Sequence, residues 1–268
     1  MTAHNISFGH QRSAGFARAG FALRDDVARV QTLRQQGSAK AIALDGAEIV
    51  FLNTSGGLTG GDVLDYQLAL GEGCNVTATT QTAERVYRSS AGHARMTVTL
   101  DVGAGGHLDW LPQETILFQR ASAQRRTEIT LAPGATCLTV ETLVLGRAAM
   151  GETVTDLNFH DWRLIRRGNS PVHLEALQLD AARVRPSRAG LDDARAIASV
   201  VRVGPGAPDA SLAVQQSLND PDCRVAASVL EDRLVIRLMA RDGWPLRRRL
   251  AQILTILRGK PPPRVWQI

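Results

Sequence analysis

Residues 53–62 read NTSGGLTGGD, four glycines closing on a carboxylate directly after the apolar run IVFL. Gly56 and Gly61 have the spacing of the glycines in a phosphate-binding loop. That loop needs a lysine next, and a helix whose N-terminus faces the anion. Asp62 stands at the lysine position, where its charge would repel phosphate, and the following VLDYQLAL alternates as a strand. The two failures exclude nucleotide binding here. The glycines then serve positive φ and close backbone approach in a strand-to-strand turn. The loop is also open to contact with a partner.

Other chemistry-bearing types give no catalytic set. GxSxG, HExxH and paired-cysteine signatures are absent, and His4, His10, His93, His107, His160 and His173 lack metal-binding spacing. Cys74, Cys137 and Cys223 are far apart, with no CxxC, and read as three small buried apolar residues rather than a disulfide framework or zinc site. Asp62, Glu84, Asp109, Glu114, Glu141, Glu152 and Glu175 lie beside or within apolar strands. An inward carboxylate is costly unless paired or metal-linked. Two readings stand: structural ion pairs, with Arg85, Arg88 and Arg147 nearby in sequence, or a path for a hard or borderline cation.

The elements that must position these groups are mostly strands. From residue 40 to 180 the apolar period is two. In VLDYQLAL, Leu64, Tyr66, Leu68 and Leu70 share one face, opposite Asp65 and Gln67. QLALGEGCNVTATT, TVTLDVGAGGHLDW and EITLAPGATCLTVE repeat one pattern, with anchors Leu70, Leu100 and Leu131 each followed at the same offset by Gly73, Gly103 and Gly134. Three hairpins at a fixed step predict stacked strand-turn-strand repeats, a β-solenoid-like or layered β scaffold. The fold class is mainly β with few helices. Residues 1–182 form the β-rich scaffold, and residues 183–268 a smaller α/β part packed on it, with 183–196 as connector. In the latter, ARAIASVVRV, CRVAASVL and DRLVIRLMA read as strands, and PDASLAVQQSL as a helix capped by Asp209. Leu246, Leu250, Ile253, Leu254 and Leu257 form one face of a terminal amphipathic helix that ends at Gly259. Arg247, Arg248 and Arg249 read as its solvated face.

Composition bounds the function class. The 268 residues carry a formal charge of +5, and lysine occurs only at positions 40 and 260, so the basic residues are almost all arginine. Arginine forks suit carboxylates. Nucleic-acid binding would call for a clustered basic stripe with stacking aromatics, but aromatics are 4% and arginine is dispersed. No apolar run reaches the length of a membrane span, and the N-terminal residues lack a signal-peptide core, so the expected location is the cytoplasm.

Five segments in order, FLNTSGGLTGGD (51–62), TTQTAERVYRS (79–89), LDWLPQETILF (108–118), LVLGRAAMGE (143–152) and PRVW (263–266), together resemble the urease accessory protein UreD, also called UreH. The resemblance runs from about residue 14 to the end and implies a non-enzymatic metallochaperone scaffold, β-rich with a few helices. It implies three partners: the urease apoprotein, UreF, and through UreF the GTPase UreG, whose GTP hydrolysis accompanies insertion of two nickel ions. Nickel is then cargo in transit through an internal channel rather than a tightly bound cofactor. By motif, Glu141 in VETLVLGR and Glu175 in PVHLEALQL match acidic positions of that channel, and Asp62 closes the GGxxGGD loop. Oxygen-only ligands suit passage because they hold nickel more weakly than histidine or cysteine would. The segment RDDVARVQTLRQQGSAKAIAL matches only loosely. An enzyme acting on an acidic polysaccharide is the competing expectation and requires an open groove lined by arginine and carboxylate.

Overall fold

The computed structural model describes residues 12–187, 190–216 and 221–267, and every structural statement below concerns those residues. Alternation of apolar and polar residues makes just over half of the described chain extended. The strands are β1 (Ala14–Arg24), β2 (Val27–Gly37), β3 (Ala39–Leu44), β4 (Glu48–Asn53), β5 (Val63–Leu70), β6 (Asn75–Thr80), β7 (Glu84–Val86), β8 (Ala94–Val102), β9 (His107–Leu111), β10 (Thr115–Leu117), β11 (Ser122–Leu131) and β12 (Thr136–Leu145). They continue with β13 (Asn158–Arg167), β14 (Ser170–Asp180), β15 (Ala196–Val203), β16 (Cys223–Leu230) and β17 (Arg233–Ala240). Helix α1 (Ala207–Gln216) precedes β16, and α2 (Gly243–Arg258) follows β17.

Two sheets face each other. One has the order β14-β13-β11-β8-β5-β1-β2, and the other the order β16-β17-β15-β12-β9-β6-β4-β3, with short β10 bridging β7 and β12. The repeats stack as a solenoid does, but they are not hairpins. β5 and β6 never pair with each other: β5 lies parallel to β1 and β8 in the first sheet, and β6 parallel to β4 and β9 in the second. Each glycine turn is therefore an arch that carries the chain from one sheet to the other. The repeat register is also two residues off at its middle anchor. Leu70 aligns with Val102, and Val102 with Leu131. A slip of two keeps the same face inward, so the apolar pattern cannot reveal it. Accordingly the left-handed glycines of the arches are Gly73, Gly105 and Gly134.

Inward residues of both sheets form the main core, where Phe51, Tyr66, Leu68, Leu100, Trp110 and Phe159 are buried. A second core lies on the outer side of the second sheet, under the helices, built from Leu138, Val140, Val200, Ile236, Leu246, Leu250, Ile253 and Leu254. β12 is thus covered on both faces, which explains why nearly all of its residues, Thr139, Glu141 and Thr142 included, are buried. Helix α2 matches its expected face and ends at left-handed Gly259. Asp242 caps it, accepting a hydrogen bond from the Gly243 N–H. Two expectations change. Asp209 lies within the first turn of α1 rather than capping it. Arg247, Arg248 and Arg249 of α2 do not form one solvated face: Arg249 is buried, and Arg247 reaches Gln113, Glu114 and the Trp266 carbonyl. No described helix is long and apolar enough to cross a membrane.

Candidate functional site

The interior between the sheets is not wholly apolar. Arg125 on β11 and Asp161 on β13 point inward on alternating strands whose other inward residues include Ala123, Ile129, Phe159 and Ile165. Glu141 faces them from β12. Arg125 Nη1 lies 2.7 Å from Glu141 Oε2. Its Nε and Nη2 donate to the two oxygens of Asp161 at 2.9 and 2.7 Å, and Nη1 also donates to Thr115 Oγ1 at 3.1 Å. The series continues outward: Arg163 Nε is 3.1 Å from Asp161 and its Nη1 is 3.3 Å from Glu175 on β14. Glu175 accepts from Ser199 Oγ of β15 at 2.8 Å and lies 3.6 Å from His173 Nε2 and 3.4 Å from Arg237 of β17. An unbroken row of alternating charge runs from the middle of the core to the rim.

Environment sets the protonation of each carboxyl differently. Burial pushes Glu141 up, against the pull of Arg125. Asp161 is equally desolvated, but Arg125, with two hydrogen bonds to it, and Arg163 hold it below the ordinary carboxylate range. At Glu175 burial is outweighed by His173, Arg163, Ser199 and Arg237, and the group falls to about 2. Glu84 on β7 differs: desolvation raises it to about 7, with the Asn53 amide at 3.2 and 3.3 Å from its oxygens as the principal opposing contact.

Cavities adjoin Glu141 on both sides. A space of about 60 Å³ beneath the glycine loop is lined by Gly56, Gly57, Glu84, Trp110, Arg125 and Glu141. On the other side an open cavity of about 520 Å³ is lined by Glu141, Arg163, Glu175, Ser199 and Arg237. No group of three or more His, Cys, Asp or Glu side chains among the described residues is placed to hold a metal ion.

The structure brings Glu141 and Glu175 to one cavity and places Asp62 elsewhere. Asp62 is buried in its own turn, Oδ1 accepting from the Ser13 N–H and Oδ2 from the Thr59 N–H, both at 2.8 Å. It fastens the start of β1 to the loop. The loop's glycines answer to packing. Any side chain on Gly57, at φ +144°, would strike Tyr87 and the Arg85 carbonyl, and one on Gly60 would strike Ser89 and the Ala91 carbonyl. Of the ion pairs expected between sequence neighbours, Arg147 does meet Glu152, at 2.9 Å. Asp109, Glu114 and Glu141 instead meet Arg258, Arg247 and Arg125 from distant segments. Sequence reasoning missed Arg125, Asp161 and Arg163. The available signal was phase: Arg125 and Asp161 occupy the apolar phase of their strands. Arg125 is buried between the sheets and lines no open groove of the kind that a polysaccharide site requires.

Residues 13–267 match the family described as UreD urease accessory protein. A urease accessory protein UreD of Cereibacter sphaeroides (strain ATCC 17025) is 53% identical over 263 residues, covering 96% of each chain. One of Paracoccus denitrificans is 45% identical over 264 residues, covering 96% of this chain and 93% of its own. One of Rhizobium etli is 41% identical over 267 residues, covering 96% of each. With a match over nearly its whole length, the chain belongs to the UreD family of urease accessory proteins.

Proposed function

We propose that this chain acts in urease maturation as a non-catalytic scaffold. It holds the urease apoprotein and, with UreF and the GTPase UreG, permits nickel to reach the urease active site, the ion passing between the two sheets. The observation that carries this reading is Glu141, an interior carboxylate bordering both the small cavity beneath the glycine loop and the larger one that holds Glu175. Nickel is cargo here. Carboxylate oxygens attract a divalent cation yet release it more readily than imidazole or thiolate donors would. Asp62, both oxygens engaged by backbone N–H groups, serves the scaffold rather than the path.

The test is urease activation in a cell-free mixture of apo-urease, UreF, UreG, GTP and Ni²⁺, with and without this chain. Omission abolishes activation. The Glu141→Ala, Glu175→Ala double variant still assembles in a pull-down but lowers the nickel content of urease several-fold. Full activation by an assembled double variant would remove the two carboxylates from the mechanism.

A further inference from the structure

The helices cover the second sheet incompletely. Along the outward phase of β12, Leu138 and Val140 belong to the second core under α2. Thr142 and Val144 continue that phase, and α2 begins beside them: a Cβ on Gly243 would lie 3.5 Å from Val144 Cγ2. β10 and β7 widen this part of the face. Ile116 registers with Val144 on one side and with Arg85 on the other. Two residues further along each chain, Tyr87 stacks on Phe118 with ring centroids 5.1 Å apart, and the Arg147 guanidinium lies 4.9 Å from the Phe118 ring. A notch of about 230 Å³ stays open between Ile116, Thr142, Val144, Trp244 and Trp266. On its wall Thr142 is only 5% exposed, and its hydroxyl makes no hydrogen bond. A buried hydroxyl without a partner forfeits its desolvation energy, so the notch calls for a polar atom as well as apolar bulk.

The rim adds rings and positive charge. Trp244 is 64% exposed and Tyr87 42%. Arg88 and Arg120 are exposed on adjacent segments, which the Ser89 N–H joins by donating to the Arg120 carbonyl at 3.0 Å. Neither guanidinium has an ion-pair partner among the described residues. The carboxylates nearby are mostly engaged: Glu114 holds Arg247, Glu152 holds Arg147, and Glu84, beside Arg85, turns inward to Asn53. Asp156, exposed beside Arg120, offsets one positive charge. The face keeps a positive excess.

We infer that this face is a docking surface for an acidic segment of a partner protein. One apolar side chain of the segment fills the notch, an adjoining polar group meets the Thr142 hydroxyl, and carboxylates meet Arg85, Arg88 and Arg120. The inference rests on the scaffold reading and assigns a surface to it. Volume favours a single side chain, because pockets that take a whole small molecule hold roughly 300–1,000 Å³. Composition favours a protein, since aromatic residues and arginine are enriched at interface centres. The surface is also preformed: Gly57 and Gly60 let the glycine loop press against Arg85, Tyr87 and Ser89.

The test measures binding of the full-length chain to apo-urease and to UreF separately, by biolayer interferometry at low and high salt. The Arg85→Gln, Arg88→Gln, Arg120→Gln variant weakens one of the two complexes roughly tenfold at low salt, and the difference narrows at high salt. Thr142→Val removes the hydroxyl and nearly keeps the shape. It weakens the same complex several-fold while the melting temperature holds or rises, a split that a merely structural hydroxyl would not produce. If the folded triple variant and Thr142→Val both bind both partners as wild type does, the surface is overturned. Arginine-dependent binding of a single-stranded oligonucleotide, with both protein complexes unaffected, overturns it in favour of nucleic acid. The two readings fail separately. If activation proceeds in the cell-free mixture without this chain, the scaffold reading is lost. If activation requires the chain while the variants bind normally, only the surface is lost.

Discussion

Asp62 and Glu141 are both buried carboxylates, and they meet the cost of burial by different means. Asp62 takes two backbone N–H groups, from Ser13 and Thr59, so its charge is satisfied locally and fixes the entry of β1 against the glycine loop. Glu141 is satisfied by Arg125, a side chain that has a second carboxylate to hold. The first arrangement is a fastening; the second can rearrange. Replacing Asp62 with Ala strands two N–H groups, and we expect a loss of about 1–3 kcal/mol in denaturant unfolding. A stability loss under a few tenths of a kcal/mol would show that the carboxylate has another role.

At the scale of elements, the C-terminal tail repeats this principle of fastening. The PRVW motif packs Trp266 onto the outer face of the second sheet, where its indole N–H donates to the Leu111 carbonyl at 3.0 Å. The backbone carbonyls of Val265 and Trp266 accept from Gln113 and Arg247. Gln113 belongs to the LPQET segment that leads into β10, so the tail braces the wall of the small cavity beneath the glycine loop from outside. Trp266→Ala should cost about 3–5 kcal/mol, as large buried aromatics do. Measured by thermal melting, an unshifted melting temperature would contradict the bracing role.

The whole molecule is held across its interior by charge as well as by apolar packing. Glu175 is the clearest tie, since it joins Arg163 and His173 of the first sheet to Ser199 and Arg237 of the second. Its carboxyl is depressed to about 2 in the fold, against about 4.3 in an unfolded chain. A depressed acid stabilises the fold fully above its unfolded value, and that stability is lost as pH falls from about 4.3 toward 2. Glu175→Gln should therefore be less stable than wild type by on the order of 1–2 kcal/mol at pH 7, after allowance for partial solvent screening. The deficit should shrink as pH falls below about 4. A deficit that stays constant from pH 7 to pH 3 would mean that packing, not charge, is the contribution. Glu141, Asp161 and Glu175 on this network each hold an arginine.

How much of this was legible in the chain depends on the range of the interaction involved. Alternation and arch glycines made the stacked β scaffold readable, because side-chain phase along a strand is a local property. Leu246, Leu250, Ile253 and Leu254 likewise announced the buried face of α2. The sequence by itself also removed phosphate from the glycine loop through Asp62, and its ordered motifs pointed to the family. It could not show that β5 and β6 belong to different sheets, because a hairpin and an arch share one pattern of alternation. Nor could it separate Leu100 from Val102 as the stacking partner of Leu70, since both face inward. Which arginine meets which carboxylate was decided only by the tertiary structure. Arg125, Glu141 and Asp161 lie far apart in sequence and converge because two sheets close over them, and a buried charge takes whatever partner the packing delivers.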